Sequence, residues 1–209
     1  MTNEKYFKSR FSFDPKRDKI WEVIAGYLQR EIREDSCVLD IGAGYCGFIN
    51  NIKAREKHAL DIFDIREYAD DDILVHIQPC TNLENLRSFD VIFASNLFEH
   101  LIKDDFEKTL QGIKRILKDK GKLIILQPNF RYAYREYFDD YSHQLIFTDV
   151  SMCDVLKNNG FTIKKVIPKF IPFSLKSNLP KSPFLLRIYL ALPVRPFAKQ
   201  MLIVAELSE

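Results

Sequence analysis

Paired cysteines are missing from this chain. The four cysteines, at positions 37, 46, 80 and 153, stand apart, and no two have CxxC spacing. That excludes a disulfide framework and points to reduced thiols in a cytoplasmic protein. Histidine is scarce too: the four, at 58, 76, 100 and 143, show no metal-ligand spacing, so no metal is expected. No stretch approaches the roughly 18 uncharged apolar residues of a transmembrane helix. The first residues, MTNEKYFKSRF, are polar and charged, unlike a signal peptide. Net charge is only +2, so nucleic acid is not an expected partner.

What the chain has in quantity is apolar surface. Hydrophobic residues make up 46%, with 17 Phe and 9 Tyr, enough for a real core and too many for disorder. A length of 209 residues fits one domain. Charge and proline are uneven, however. Residues 161–209 hold eight Lys/Arg against two acids and six of the nine prolines, whereas residues 1–160 hold 23 basic residues against 27 acids.

Hydrophobic periodicity places the elements. Asp14-Pro15 reads as a helix start, and Ile20, Ile24, Tyr27 and Leu28 carry a helix to about residue 33. Strands are expected at 36–41, 57–63, 73–77, 89–95, 122–127, 161–167 and 200–207. Helices are expected at 48–56, at 104–118 closed by Gly121, at 183–192, and before Gly160, where Ser151 and Asp154 read as a capping box. The alternation implies a Rossmann-like α/β fold: a seven-stranded sheet, mostly parallel with an antiparallel last strand, and helices on both faces. Residues 1–35 form an N-terminal helix and lid, and residues 168–199 a Pro-rich basic insertion between the last two strands.

Gly42, Gly44 and Gly47 spell GxGxxG after the first strand. Such a loop lets the backbone approach a ligand closely. Asp61 lies 19 residues beyond Gly42, at the end of the second strand, where a carboxylate can accept ribose hydroxyls. The pattern indicates a nucleoside-containing cofactor. Asp40, two residues before the first glycine, separates two classes. A carboxylate repels a dinucleotide's pyrophosphate but suits the ammonium and sulfonium of S-adenosylmethionine.

Three segments then carry a family resemblance. VLDIGAGYCGFI resembles motif I of the class I S-adenosylmethionine-dependent methyltransferases, FDVIFASNLFEHL their strand-four motif, and LKDKGKLIILQPN their helix–glycine–strand-five segment. Order and spacing match along residues 37–128. HQLIFTDVSMCDVLKNNGFTIKKV and RFSFDPKRDKIWEVIAGYLQREI extend the likeness, more loosely, to small bacterial methyltransferases. The resemblance implies that S-adenosyl-L-methionine binds at Asp40, Gly42, Ala43, Gly44, Tyr45, Asp61, Ile62, Thr81, Ser95, Asn96 and Leu97. There are departures. Cys46 stands where a third glycine is usual, Gln78-Pro79-Cys80-Thr81 replaces an adenine-contacting acid, and Asp64 rivals Asp61 for the ribose.

Methyl transfer to a hydroxyl needs a base. His143, in the loop FDDYSHQLIF expected to overhang the acceptor, is the first candidate, and His100 the second. Tyr134, Asp139, Asp140 and Tyr141 are candidate acceptor contacts, and Tyr6, Arg10, Phe11 and Phe13 a candidate lid. The basic C-terminal stretch admits three readings. It is a cap for an anionic acceptor; or a peripheral membrane contact through Phe184, Leu185, Leu186, Ile188, Tyr189 and Leu190 beside Lys181 and Arg187; or a packing or dimer surface. The expected activity is methyl transfer to an oxygen of a small molecule or glycan, the resemblance suggesting surface-polysaccharide assembly. An NAD(P)-dependent oxidoreductase and a non-catalytic binding module are the alternatives.

Overall fold

The computed structural model describes residues 15–172 and 182–208. The candidate lid residues Tyr6, Arg10, Phe11 and Phe13, the capping residue Asp14, and Lys181 lie outside the described residues.

Helix α1 (Pro15–Leu28) leads through a 3-10 turn into β1 (Cys37–Ile41). Strands β2 (Glu56–Asp61), β3 (Ile73–Ile77) and β4 (Phe89–Ser95) follow, then α2 (Lys103–Ile116) and β5 (Leu117–Pro128). A short helix α3 (Phe130–Ala133) precedes α4 (Asp149–Asn158), β6 (Phe161–Pro172), α5 (Pro183–Ala191) and β7 (Ala198–Leu207). Among the described residues the strands form one sheet in the order β3-β2-β1-β4-β5-β7-β6. The pairs among β1 to β5 are parallel, and β7 runs antiparallel to both of its neighbours. The expected Rossmann-like architecture is present, antiparallel last strand included.

The period-two alternation of side chains builds a core on each face. Leu123 and Ile125 of β5 and Met201, Ile203 and Ala205 of β7 face one core, where α2 adds Phe106, Leu110 and Ile113 and α4 adds Met152 and Leu156. Ile124, Leu126, Leu202 and Val204 face the other, against Ile20, Ile24 and Leu28 of α1 and Leu190 of α5. Fully burying each such Leu or Ile contributes about 1.5–3 kcal/mol.

Four expectations need correction. The helix expected at 48–56 is a single 3-10 turn, Ile49–Asn51. Asn50 and Asn51 donate their side-chain amides to the carbonyls of Tyr68 and Gly47, both at 2.9 Å, and Ile52 is already extended. Asparagine side chains that bond local backbone compete with the helix ladder. The capping box of α4 starts three residues earlier than read: Thr148 caps, its Oγ1 accepting from the Ser151 amide at 3.1 Å, and Ser151 Oγ accepts from the Thr148 amide at 2.9 Å. Helix α2 ends at Ile116, well short of Gly121. Strand β2 stops at Asp61, which frees Ile62 and Phe63 for the loop beyond.

Candidate active site

Strands β2 and β3 lie to one side of β1, and the chain then crosses to β4 on its other side. This reversal leaves a crevice at the carboxyl ends of β1 and β4, the usual ligand position in open α/β sheets. A cleft of about 660 Å³ opens there, within the size range of sites for small ligands and cofactors. All the residues expected to bind the cofactor line it: Asp40, Gly42, Ala43, Gly44, Tyr45, Asp61, Ile62, Thr81, Ser95, Asn96 and Leu97.

The glycine loop is shaped by three different demands. Gly42 and Gly44 sit at φ 72° and 53°, the left-handed region that side chains disfavour. A Cβ on Gly42 would also lie 3.0 Å from the Leu97 side chain. Gly47 is needed for space, since a Cβ there would lie 2.4 Å from Trp21 of α1. Cys46 adopts φ 56° although it is not glycine, and its side chain is fully buried. The replacement of the usual third glycine is thus accommodated with local strain. Burial, then the charges of Asp40 and Asp61, push the Cys46 thiol up to about 12, which makes it inert.

Asp61 is tied to the loop. Its Oδ2 accepts from the Gly44 amide at 3.0 Å and its Oδ1 from the Phe63 amide at 3.1 Å. Burial raises its carboxyl above the usual range, and the amides of Gly44, Phe63 and Ile62 pull against that rise. Asp40 is buried and lies well above the usual carboxylate range, through burial first and the charge of Asp61 second. The rival Asp64 is exposed, forms an ion pair with Arg66 that holds it at about 2, and is not part of the cleft lining. Of these two rivals, Asp61 is the one that lines the cleft.

The charge of the wall tests the cofactor. Among the described residues, four aspartates, 18, 40, 61 and 105, line the cleft with one permanent cation, Arg17. Such a wall suits a ligand bearing ammonium and sulfonium charges and repels a pyrophosphate. Ile62, Phe63, Pro79 and Leu97 add apolar surface for a purine ring.

At the other end the cleft is lined by His100, Tyr141 and Ser142. His100 Nδ1 lies 2.9 Å from Ser142 Oγ, and Ser142 Oγ donates to Asp140 Oδ1 at 2.7 Å. The hydroxyl's one proton goes to Asp140, so Ser142 accepts from His100 Nδ1–H and Nε2 keeps the lone pair. Burial, then neighbouring His143, lowers His100 to about 4, so it is neutral at physiological pH.

His143 was expected to overhang the acceptor, and here the reading is corrected. It is buried, 9% exposed, and does not line the cleft. Its Nδ1 lies 2.6 Å from the Tyr137 carbonyl, and its ring packs 4.9 Å from that of His100. Leu145 and Phe147, apolar residues just beyond it, pack into or against the core and draw this loop inward. Of the acceptor candidates, Tyr141 lines the cleft, Asp140 acts through Ser142, and Tyr134 and Asp139 are not among the lining residues.

Sequence reasoning missed the contribution of α1, which supplies Arg17, Asp18 and Trp21 to the cleft. The available signal was the chain's one tryptophan, in the helix preceding the loop. It also missed the brace on Asn96, a residue at φ 49° whose Oδ1 accepts from Gln200 Nε2 at 2.8 Å. In the C-terminal stretch, α5 lies on α1 through Leu186 and Leu190, with Arg187 3.3 Å from Glu22. Phe184, Leu185 and Ile188 stay exposed on its other face. No helix among the described residues is long and apolar enough to cross a membrane.

The fold matches that of Rossmann-like methyltransferases, and comparison with known proteins gives the family. A family model described as a methyltransferase domain matches residues 14–166. The chain belongs to that methyltransferase family, and S-adenosyl-L-methionine is the cofactor of its class. An S-adenosylmethionine-dependent methyltransferase of Archaeoglobus fulgidus superposes with a TM-score of 0.64 at 19% identity, over 89% of this chain and 94% of the other. One from Clostridium acetobutylicum also superposes at 0.64, with 15% identity, over 99% and 96%. In sequence, the chain is 32% identical over 135 residues to the uncharacterized protein MJ0638 of Methanocaldococcus jannaschii. That match takes in 58% of this chain and spans only 55% of the relative's length.

Proposed function

We propose that the protein transfers a methyl group from S-adenosyl-L-methionine to an oxygen of a small, neutral, hydroxyl-bearing acceptor, a class that includes glycan units. The observation that carries this reading is the Asp140–Ser142–His100 chain, which leaves an unprotonated imidazole nitrogen on a histidine that lines the cleft. When bound, the cofactor supplies a methyl group already activated on a sulfonium. The protein's own tasks are alignment, exclusion of water and activation of the acceptor.

The loop amides and Asp61 would hold the ribose end, Asp40 would offer negative charge to the cationic end, and Leu97 and Ile62 would pack against the base. Behind His100, the buried carboxylate of Glu99 and the imidazole of His143 complete a close cluster. An acceptor hydroxyl must lose its proton on attack. The cluster provides for that, whether a lone pair takes the proton directly or holds a cation that weakens the O–H bond. Among the described residues, four aspartates against one arginine in the wall count against an anionic acceptor and give no support to a phosphorylated one.

The test is incubation of the purified protein with methyl-labelled donor and fractionated cell extract, followed by mass identification of the product. A methyl ether is the expected product. Label recovered only on nitrogen, sulfur or carbon would overturn the oxygen assignment.

A further inference from the structure

We infer that Glu99, His100 and His143 form a binding site for a divalent first-row transition-metal ion of the zinc type, set behind the acceptor end of the cleft.

The first ground is geometry. One ligand atom of each of these three residues lies within 4.8 Å of the other two. Two residues come from the 3-10 turn Phe98–His100 after β4, and the third from the loop before α4, 43 residues further on. Backbone hydrogen bonds lock the two segments together: the Gln144 and Leu145 amides both donate to the Glu99 carbonyl, at 2.7 and 3.1 Å.

The second ground is an unsatisfied carboxylate. Glu99 is 1% exposed, and its Oε2 is buried without a hydrogen-bond partner. A buried carboxyl oxygen with no partner is costly, and a cation among the neighbouring groups would offset that cost.

The third ground is the state of the two imidazoles. His143 Nδ1 faces the Tyr137 carbonyl at 2.6 Å, and a carbonyl can only accept, so the proton sits on Nδ1. His100 Nδ1 is protonated for the reason already given, its partner Ser142 being committed to Asp140. In both rings the remaining lone pair is therefore on Nε2. An oxygen acceptor on the far nitrogen is the arrangement that orients metal-bound histidine. Two imidazoles and one carboxylate suit zinc, iron(II) or manganese, and three protein ligands leave coordination open. Of the three, His100 also lines the cleft, so an ion on this cluster would adjoin the acceptor's space and would polarise an acceptor oxygen that reached it.

The inference rests on the methyl-transfer reading for the ion's role, and not for whether it binds. The purified protein is stripped with chelator, dialysed against zinc or manganese ions, and its metal content measured. Wild type is expected to retain about one ion per chain. Glu99→Gln and His143→Asn should each weaken retention at least about a hundredfold while unfolding cooperatively. X-ray absorption of the zinc form should show only nitrogen and oxygen neighbours, at about 2.0–2.1 Å. Wild type that retains no stoichiometric ion overturns the proposal, and this arm stands even if a variant fails to fold. So does retention unchanged in both variants, or a sulfur neighbour at about 2.3 Å, which would place the ion on a cysteine. Asp61→Asn separates the two readings: it should lose S-adenosylhomocysteine and keep the metal. Metal binding without any S-adenosylhomocysteine binding by wild type would sink the cofactor reading alone.

Discussion

The Gly44 amide donates a hydrogen bond to Asp61 Oδ2 at 3.0 Å. One carboxylate at the end of β2 thereby fixes the glycine loop at the end of β1 and still has lone pairs to offer a ribose. Asp61→Ala should remove both effects. Hydrogen bonds to a charged group are worth about 1.5–3 kcal/mol each, so S-adenosylhomocysteine affinity should fall at least about tenfold by calorimetry. Unchanged affinity would transfer the ribose role to another residue.

Asp40 gives a pH-dependent expectation. Burial and the charge of Asp61 raise its folded-state carboxyl above its unfolded value. A raised group favours the folded state at low pH, and that contribution is lost as pH rises through the folded value. Ligand-free Asp40→Asn should therefore be more stable than wild type at neutral pH, and the gain should vanish in acid. The variant should lose more affinity for S-adenosylmethionine than for S-adenosylhomocysteine, which lacks the sulfonium charge. Thermal unfolding across pH, with and without each ligand, checks both parts.

Gly47 and Gly44 should respond differently to alanine. At Gly47 the new Cβ would sit 2.4 Å from the Trp21 ring, whereas at Gly44 it meets nothing within 4 Å. Gly44→Ala should cost about 1–2 kcal/mol, from its positive φ alone. Gly47→Ala forces Trp21 to move and should cost about 1–3 kcal/mol, with a change in tryptophan fluorescence that Gly44→Ala does not produce. Urea unfolding followed by fluorescence separates them.

His100→Ala should leave S-adenosylhomocysteine affinity within about twofold of wild type and slow transfer to a hydroxyl at least about a hundredfold. Ser142→Ala should act in the same direction but less strongly, because it removes the partner that orients the ring. Single-turnover rates with a saturating donor provide the measurement. Full activity of His100→Ala would dismiss the cluster from catalysis.

Much of the fold is legible in local sequence. The nearly continuous apolar runs of β1, β5 and β7 announce strands because successive side chains face one or the other of two cores. The loop and Asp61 are legible because the turn after β1 needs glycine at positive φ, and the acid that accepts from its Gly44 amide ends the very next strand. The turn after the loop misleads because Asn50 and Asn51 spend their amides on Tyr68 and Gly47. The acceptor end was hidden for a different reason. His100 and Ser142 are 42 residues apart and meet only when the loop after β5 folds back. His143 reads as a loop histidine until the burial of Leu145 and Phe147 beside it is known, and the cluster with Glu99 shows no ligand spacing in the sequence.

The central claim is that the cleft at the ends of β1 and β4 holds S-adenosyl-L-methionine. Calorimetric titration of wild type and Asp61→Ala with S-adenosylhomocysteine, and of wild type with NAD(P), tests it most directly. The account expects one S-adenosylhomocysteine per chain for wild type, at least tenfold weaker binding by Asp61→Ala, and no NAD(P) binding. Tight NAD(P) binding with no heat from S-adenosylhomocysteine would contradict it.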